Sequence, residues 1–163
     1  MFSILIYISL PFVFLFHAIE ETAKRQRWAR INADRIGGIH PGMRPVLVHL
    51  RDMSNKSLCI IVAEELLLVS LAVISATYGP FMAPLFALTW GFCIHLMVHA
   101  VMAIATKGYV PGLATTVLLL PYMGIAVADM LQQFPWQDNL LYAVSGTMAI
   151  TVNTIVMHTI FRR

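Results

Sequence analysis

An all-helical integral membrane bundle of five transmembrane helices is the fold this sequence predicts, on three observations. The 163 residues are 59% hydrophobic and only 12% charged, about half the charged fraction of a soluble domain. Five apolar stretches approach the roughly 20 residues needed to cross hydrocarbon. All 11 Lys and Arg fall in three places, Lys24 to Lys56, Lys107 and Arg162–Arg163, and one topology accommodates every one of them.

The first predicted span covers residues 2–22. It has no positive leader and no small-residue cleavage site, so it reads as a retained helix rather than a signal peptide. A polar, basic segment follows over 23–56, broken at Gly37-Gly38 and Pro41-Gly42. Its mixture of apolar and charged residues from Arg44 to Met53, with Trp28 nearby, predicts short amphipathic helices at headgroup level. The second span covers 57–77 and is closed by Tyr78-Gly79-Pro80. The third covers 81–106 and ends at Lys107-Gly108. The fourth covers 111–130, with Pro121 as an expected kink. A polar loop over Gln132–Asn139 leads to the fifth span, 140–161. The chain therefore reads as one transmembrane domain, residues 1–163, and a multi-pass protein of the bacterial inner membrane.

Orientation follows from the positive-inside rule. With 23–56 cytoplasmic, the N-terminus lies outside, and Lys107 and the C-terminal Arg162-Arg163 lie inside. The two outer connections carry no Lys or Arg. This assignment explains the basic segment without nucleic acid, which is not expected as a partner. Cys59 and Cys93 lie in apolar stretches without CxxC spacing and read as ordinary small apolar residues. His40 and His49 read as solvated or headgroup-facing.

The predicted helices gather an unusual polar set. The first carries His17-Ala18-Ile19-Glu20-Glu21, the second the pair Glu64-Glu65, the third His95-Leu96-Met97-Val98-His99, and the fifth Asn153 and His158. Residues three and four apart share a helical face, so His17 can pair with Glu20 or Glu21, and His95 and His99 can grip one ion. At about 1.5 Å per residue, His17 lies roughly 10 Å from Lys24, Glu64 roughly 12 Å from Lys56 and His99 roughly 12 Å from Lys107. Antiparallel helices bring these groups to one depth in the inner leaflet.

Buried carboxylates cost about 2.5–3.5 kcal/mol each on insertion scales. A divalent metal offsets that cost and uses the imidazoles as well. Mixed His and carboxylate donors suit zinc, iron or manganese. The candidate metal ligands are His17, Glu20, Glu21, Glu64, Glu65, His95 and His99, enough for one ion or a dinuclear centre. Tyr109, in Tyr109-Val110-Pro111-Gly112, is either part of a turn or a proton donor over the site. It and Glu21 are the candidate catalytic groups.

His17-x-x-Glu20-Glu21 is similar to the signature of the HXXEE-motif membrane proteins, and Glu64-Glu65, His95-xxx-His99 and Tyr109-x-Pro111-Gly112 look like accompanying elements of that family. The resemblance runs from Phe16 to Gly112, with the basic segment as its unmatched part. It implies a small multi-span protein whose function is largely unassigned. HxxEE is not the HExxH of zinc metalloproteases. Membrane fatty-acid hydroxylases carry more histidines, and membrane lipid hydrolases with three histidines and an aspartate lack the paired glutamates.

The expected function is a metal-dependent membrane enzyme, an oxidoreductase holding iron or zinc and acting on an apolar or lipid-like small molecule. A zinc-dependent hydrolase, a metal or proton transporter and a non-catalytic subunit are the alternatives. Membrane lipids are the surrounding partner; the sequence leaves open a single chain, a homo-oligomer or a complex with a membrane partner.

Overall fold

Helix order follows from where proline, glycine and caps interrupt the apolar runs. The computed structural model describes residues 2–161, so Arg162 and Arg163, part of the charge argument above, lie outside the described residues. These residues form helices α1 (Phe2–Ile8), α2 (Leu10–Ile39), α3 (Arg44–Asp52), α4 (Asn55–Tyr78), α5 (Ala83–Ala105), α6 (Leu113–Gln133) and α7 (Trp136–Ile160), with a single 3-10 turn at Pro41–Met43 and no strand among them. Four, α4 to α7, are long and apolar enough to cross a membrane. By length and composition the chain is thus a multi-pass membrane protein.

The expected first span, 2–22, is divided between α1 and α2. Pro11 has no N–H for the preceding turn, and Ser9 instead donates its hydroxyl to the Ile6 carbonyl at 2.9 Å. Beyond residue 22 the helix does not stop. α2 runs on through Lys24 and through Gly37-Gly38 to Ile39. The break falls at His40, which precedes Pro41 and leaves the helical region (φ −129°, ψ 82°), as the residue before proline prefers. The expected amphipathic segment is α3, which buries Leu47.

Leu47 closes a small apolar core with Trp28, Ala29, Ala33, Ile36 and Val110 at the basic end of the bundle. A larger core, around Leu10, Val69, Phe86, Phe92, Leu96, Met123 and Met130, binds α1, α2, α4, α5 and α6 together. Ser54 caps α4 by accepting the Ser57 N–H at 3.0 Å, which starts that helix two residues before the predicted span. α6 runs through Pro121 without a break. The predicted polar loop shrinks to Phe134-Pro135. Asn139 accounts for this: its amide donates to the carbonyls of Phe134 (3.0 Å) and Pro135 (3.2 Å) and accepts from the Trp90 indole (3.1 Å).

α7 packs chiefly on α5. At their crossing the backbones touch: a Cβ on Gly91 would lie 2.7 Å from the Gly146 carbonyl carbon, and one on Gly146 only 1.8 Å from the Ala87 oxygen. Small residues permit such approach between helices in lipid. The backbones of α4 and α7 stay further apart, and the helices meet through side chains where Leu58 and Ile61 form a small cluster with Met157. The Asn153 amide donating to Glu64 at 3.0 Å is the hydrogen bond that joins them among the described residues.

The end of α5 sets the connection to α6. Gly108 N–H bonds Ala103 O (3.0 Å) and Lys107 N–H bonds Ile104 O (3.2 Å), with Lys107 left-handed at φ 51°. This is the Schellman pattern. α2 then clasps the connection from outside: Arg35 donates to Thr106 O at 2.7 Å, and the Trp28 indole donates to Tyr109 O at 2.5 Å.

Candidate metal centre

His17 and Glu21 are one turn apart on α2, and His95 and His99 one turn apart on α5. α6 packs on both α2 and α5, and the two pairs meet side chain to side chain beside it. One ligand atom from each of the four residues lies within 4.8 Å of the other three. The Glu21 carboxylate is 3.7 Å from His17 Nε2 and 3.8 Å from both His95 Nε2 and His99 Nε2. The two α5 imidazoles approach to 3.1 Å, Nε2 to Nε2. Donors bound tetrahedrally at about 2.1 Å from one ion lie about 3.4 Å apart. The observed spacings bracket that value, so the four residues can hold a single metal ion.

Proton positions on the imidazoles point the same way. Thr115 Oγ1 donates its one hydrogen to an oxygen, Glu20 Oε2 at 2.7 Å or Gly112 O at 3.0 Å. It must therefore accept from His17 Nδ1–H, 2.9 Å away. That leaves His17 Nε2 deprotonated, and this buried atom has no hydrogen-bond partner. A bare imidazole lone pair, aimed at a carboxylate and two other imidazoles, fits a metal ion better than any internal hydrogen bond. His99 lies close to the Pro111 backbone at the start of the α6 turn. Outer partners such as Thr115 orient metal-binding histidines. Phe92 packs edge-on to His17 and parallel to His95.

Gly112 is required beside these rings. Its φ is +83°, and a Cβ there would lie 2.8 Å from His17 Cε1 and 3.1 Å from His99 Cε1. Gly112 also starts α6 without a side-chain cap. Glu20 supplies the cap from α2, accepting the backbone N–H of Thr115 at 2.7 Å and of Ala114 at 3.4 Å, where the positive end of the helix dipole favours an anion. Lys24 donates to Glu20 at 3.2 Å, and the Tyr109 hydroxyl donates to it as well. The Tyr109 ring stacks under the Lys24 ammonium, 5.1 Å from its centroid. Burial, and then the Glu20 carboxylate, raise the Tyr109 phenol above its ordinary pKa.

Of the seven candidate ligands, the structure brings His17, Glu21, His95 and His99 together. Glu20 is turned to the α6 N-terminus with Tyr109, and Glu64 accepts from Asn153. Glu65 faces a cavity of about 160 Å³ bounded by α2, α4, α5 and α7, as do His17, Glu21 and His95. His99 lies behind the cluster, away from that cavity. His158 meets His49 at 3.0 Å (Nδ1 to Nε2) on the cavity's far side. Sequence reasoning missed Thr115 and Arg25, and read Gly112 only as part of a turn and of the family pattern. Nothing in spacing signals Thr115. Arg25, however, continues the His17–Glu21 face at the same four-residue interval, hidden in the expected basic segment.

A family model described as a protein of unknown function with an HXXEE motif matches residues 8–127. The chain belongs to this HXXEE family. The bounds of the match enclose the basic segment. The motif's residues divide their work: His17 and Glu21 face the cluster, and Glu20 fastens α6. No match appears among curated proteins or among solved structures.

Proposed function

We propose that this HXXEE protein is a membrane-embedded, metal-dependent oxidoreductase acting on an apolar or lipid-like substrate. One observation carries the proposal: three of the four convergent donors, His17, Glu21 and His95, line a cavity whose side reaches the lipid-facing surface. A shallow groove between α4 and α7 shares Leu68, Ala149 and Asn153 with the cavity wall. A substrate dissolved in the bilayer has a lateral way in.

His17, Glu21, His95 and His99 would hold the metal, with Thr115 keeping the His17 ring in register. An iron ion held there would supply the one-electron redox chemistry for an oxidation in which dioxygen is the oxidant, taking up the two electrons and two protons the substrate loses. The chain supplies position and dryness: Phe14, Phe92, Leu88 and Val69 line the approach, excluding water and holding apolar groups against the donors. Oxidation is favoured over hydrolysis because the stretch of wall from Leu10 to the cluster, with Phe14, Leu88 and Phe92, is apolar. Zinc and hydrolysis remain the second reading, since the same donors suit zinc. Transport is disfavoured by the Leu10, Phe14 and Leu88 wall, which continues away from the cluster with no polar ladder.

The proposal includes a fifth span, residues 2–22, and an inner-membrane topology with the N-terminus outside and the basic end of the bundle cytoplasmic. Elemental analysis of detergent-purified protein tests the first step. About one equivalent of a transition metal is expected, falling below half in His99→Ala and Glu21→Ala, with electron paramagnetic resonance separating iron from zinc. A metal content under half an equivalent in the wild type, unchanged in both variants, would overturn the proposal.

A further inference from the structure

The geometry points to Arg25 as the docking site for the anionic head of a single-chain amphiphile, whose chain lies in the cavity against the metal cluster. The inference deepens the enzymatic proposal and rests on it for the identity of the bound molecule as substrate.

Arg25 is 8% exposed and lines the same cavity as His17, Glu21, Glu65 and His95. Its Nε is buried without a hydrogen-bond partner. The guanidinium donates once, weakly, to Met53 Sδ at 3.6 Å. Among the described residues no carboxylate oxygen lies within 4.0 Å of it, although Glu21 and Glu65 are near enough to be felt. Two other polar groups at this end are engaged, Asn153 with Glu64 and His158 with His49. A buried, unpaired guanidinium is costly, and its planar fork matches a carboxylate or phosphate with two parallel bonds. With Glu21 committed to a metal and Glu65 farther than 4.0 Å, the guanidinium has no anion paired with it.

Position along α2 says how such a molecule lies. Arg25 is one turn, about 6 Å, beyond Glu21, and Leu10 is about 22 Å from Arg25 at the other end. Between them the wall is Phe14, Ala18, Leu88 and Phe92. A head at Arg25 therefore sets the carbons nearest the head, not the far end of the tail, beside the donors. A cavity of about 160 Å³ is close to the size that holds a benzene, so it takes a slim segment of one chain. The remaining tail leaves through the α4–α7 groove into lipid.

The test is binding by detergent-purified protein of palmitate, hexadecyl phosphate and hexadecanol, with metal content measured on the same samples. Palmitate or hexadecyl phosphate is expected to bind at least tenfold tighter than hexadecanol, the tighter of the two identifying the head. Arg25→Gln should abolish that difference, and Arg25→Lys should restore it in part, as a charge without the fork. Equal binding of all three probes by the wild type overturns the inference, and needs no variant to fold. So does an undiminished anion preference in Arg25→Gln. Retained metal with no anion preference refutes this inference alone, whereas an Arg25-dependent preference in a protein that never holds metal refutes the enzymatic proposal and leaves the anion site standing.

Discussion

Thr115 carries as much of the centre as any ligand, although it would touch no metal. Its hydroxyl accepts from His17 and donates to an oxygen at the start of α6, so it fixes which His17 nitrogen is bare. Thr115→Val keeps the shape and removes both bonds. Metal affinity should fall about 10- to 100-fold, the usual cost of losing an outer partner, while the helical content stays unchanged. Chelator competition measures it, and Thr115→Ser should recover most of the loss. This residue was invisible in the sequence because its role depends on how α6 docks on α2. The pairs His17/Glu21 and His95/His99 were legible because both members share one helix, where a four-residue interval fixes a common face. Glu20 and Glu21 could not be separated that way. Both lie close enough to the His17 face, and only the position of the next helix decides which one turns inward.

The same division appears at the level of helices. α6 begins at a glycine that cannot cap it, and α2 provides the missing acceptor through Glu20. Glu20→Ala should therefore behave as loss of an N-cap, lowering stability by about 1 kcal/mol. Metal content should remain near that of the wild type, in contrast to Glu21→Ala. Unfolding monitored by circular dichroism, alongside elemental analysis, separates the two glutamates. Helix ends were legible wherever they are local events: Lys107-Gly108 closes α5, and Tyr78-Gly79 closes α4, as residue type alone indicates. They were not legible where the bundle intervenes. α2 runs on past residue 22 because Trp28, Ala29 and Ile36 find an apolar partner in α3. The loop before α7 contracts because Asn139 satisfies carbonyls that water would otherwise bind.

For the whole molecule, hydropathy was enough to announce a membrane bundle, and α4 to α7 stand close to four of the predicted spans. The lateral cavity was beyond such reading, since it depends on how far apart the backbones of α4 and α7 stand, which packing on their neighbours decides. The proposed topology makes a direct prediction. A reporter fused before Met1 should be active only outside the membrane and one fused after Arg163 only inside, with Lys24–Lys56 protected from external protease. Two reporters on the same side would remove one span, and residues 2–22 are then the stretch to reconsider.

The meeting of Gly91 and Gly146 bears on how damage to this protein would be recognised. Two residues with no side chain hold α7 against α5 at a separation that admits not even a methyl group. A genetic screen scored only by loss of activity would therefore rank Gly146 with His99, although one is architecture and the other chemistry. Scoring the same alleles for protein remaining in the membrane would pull the two apart.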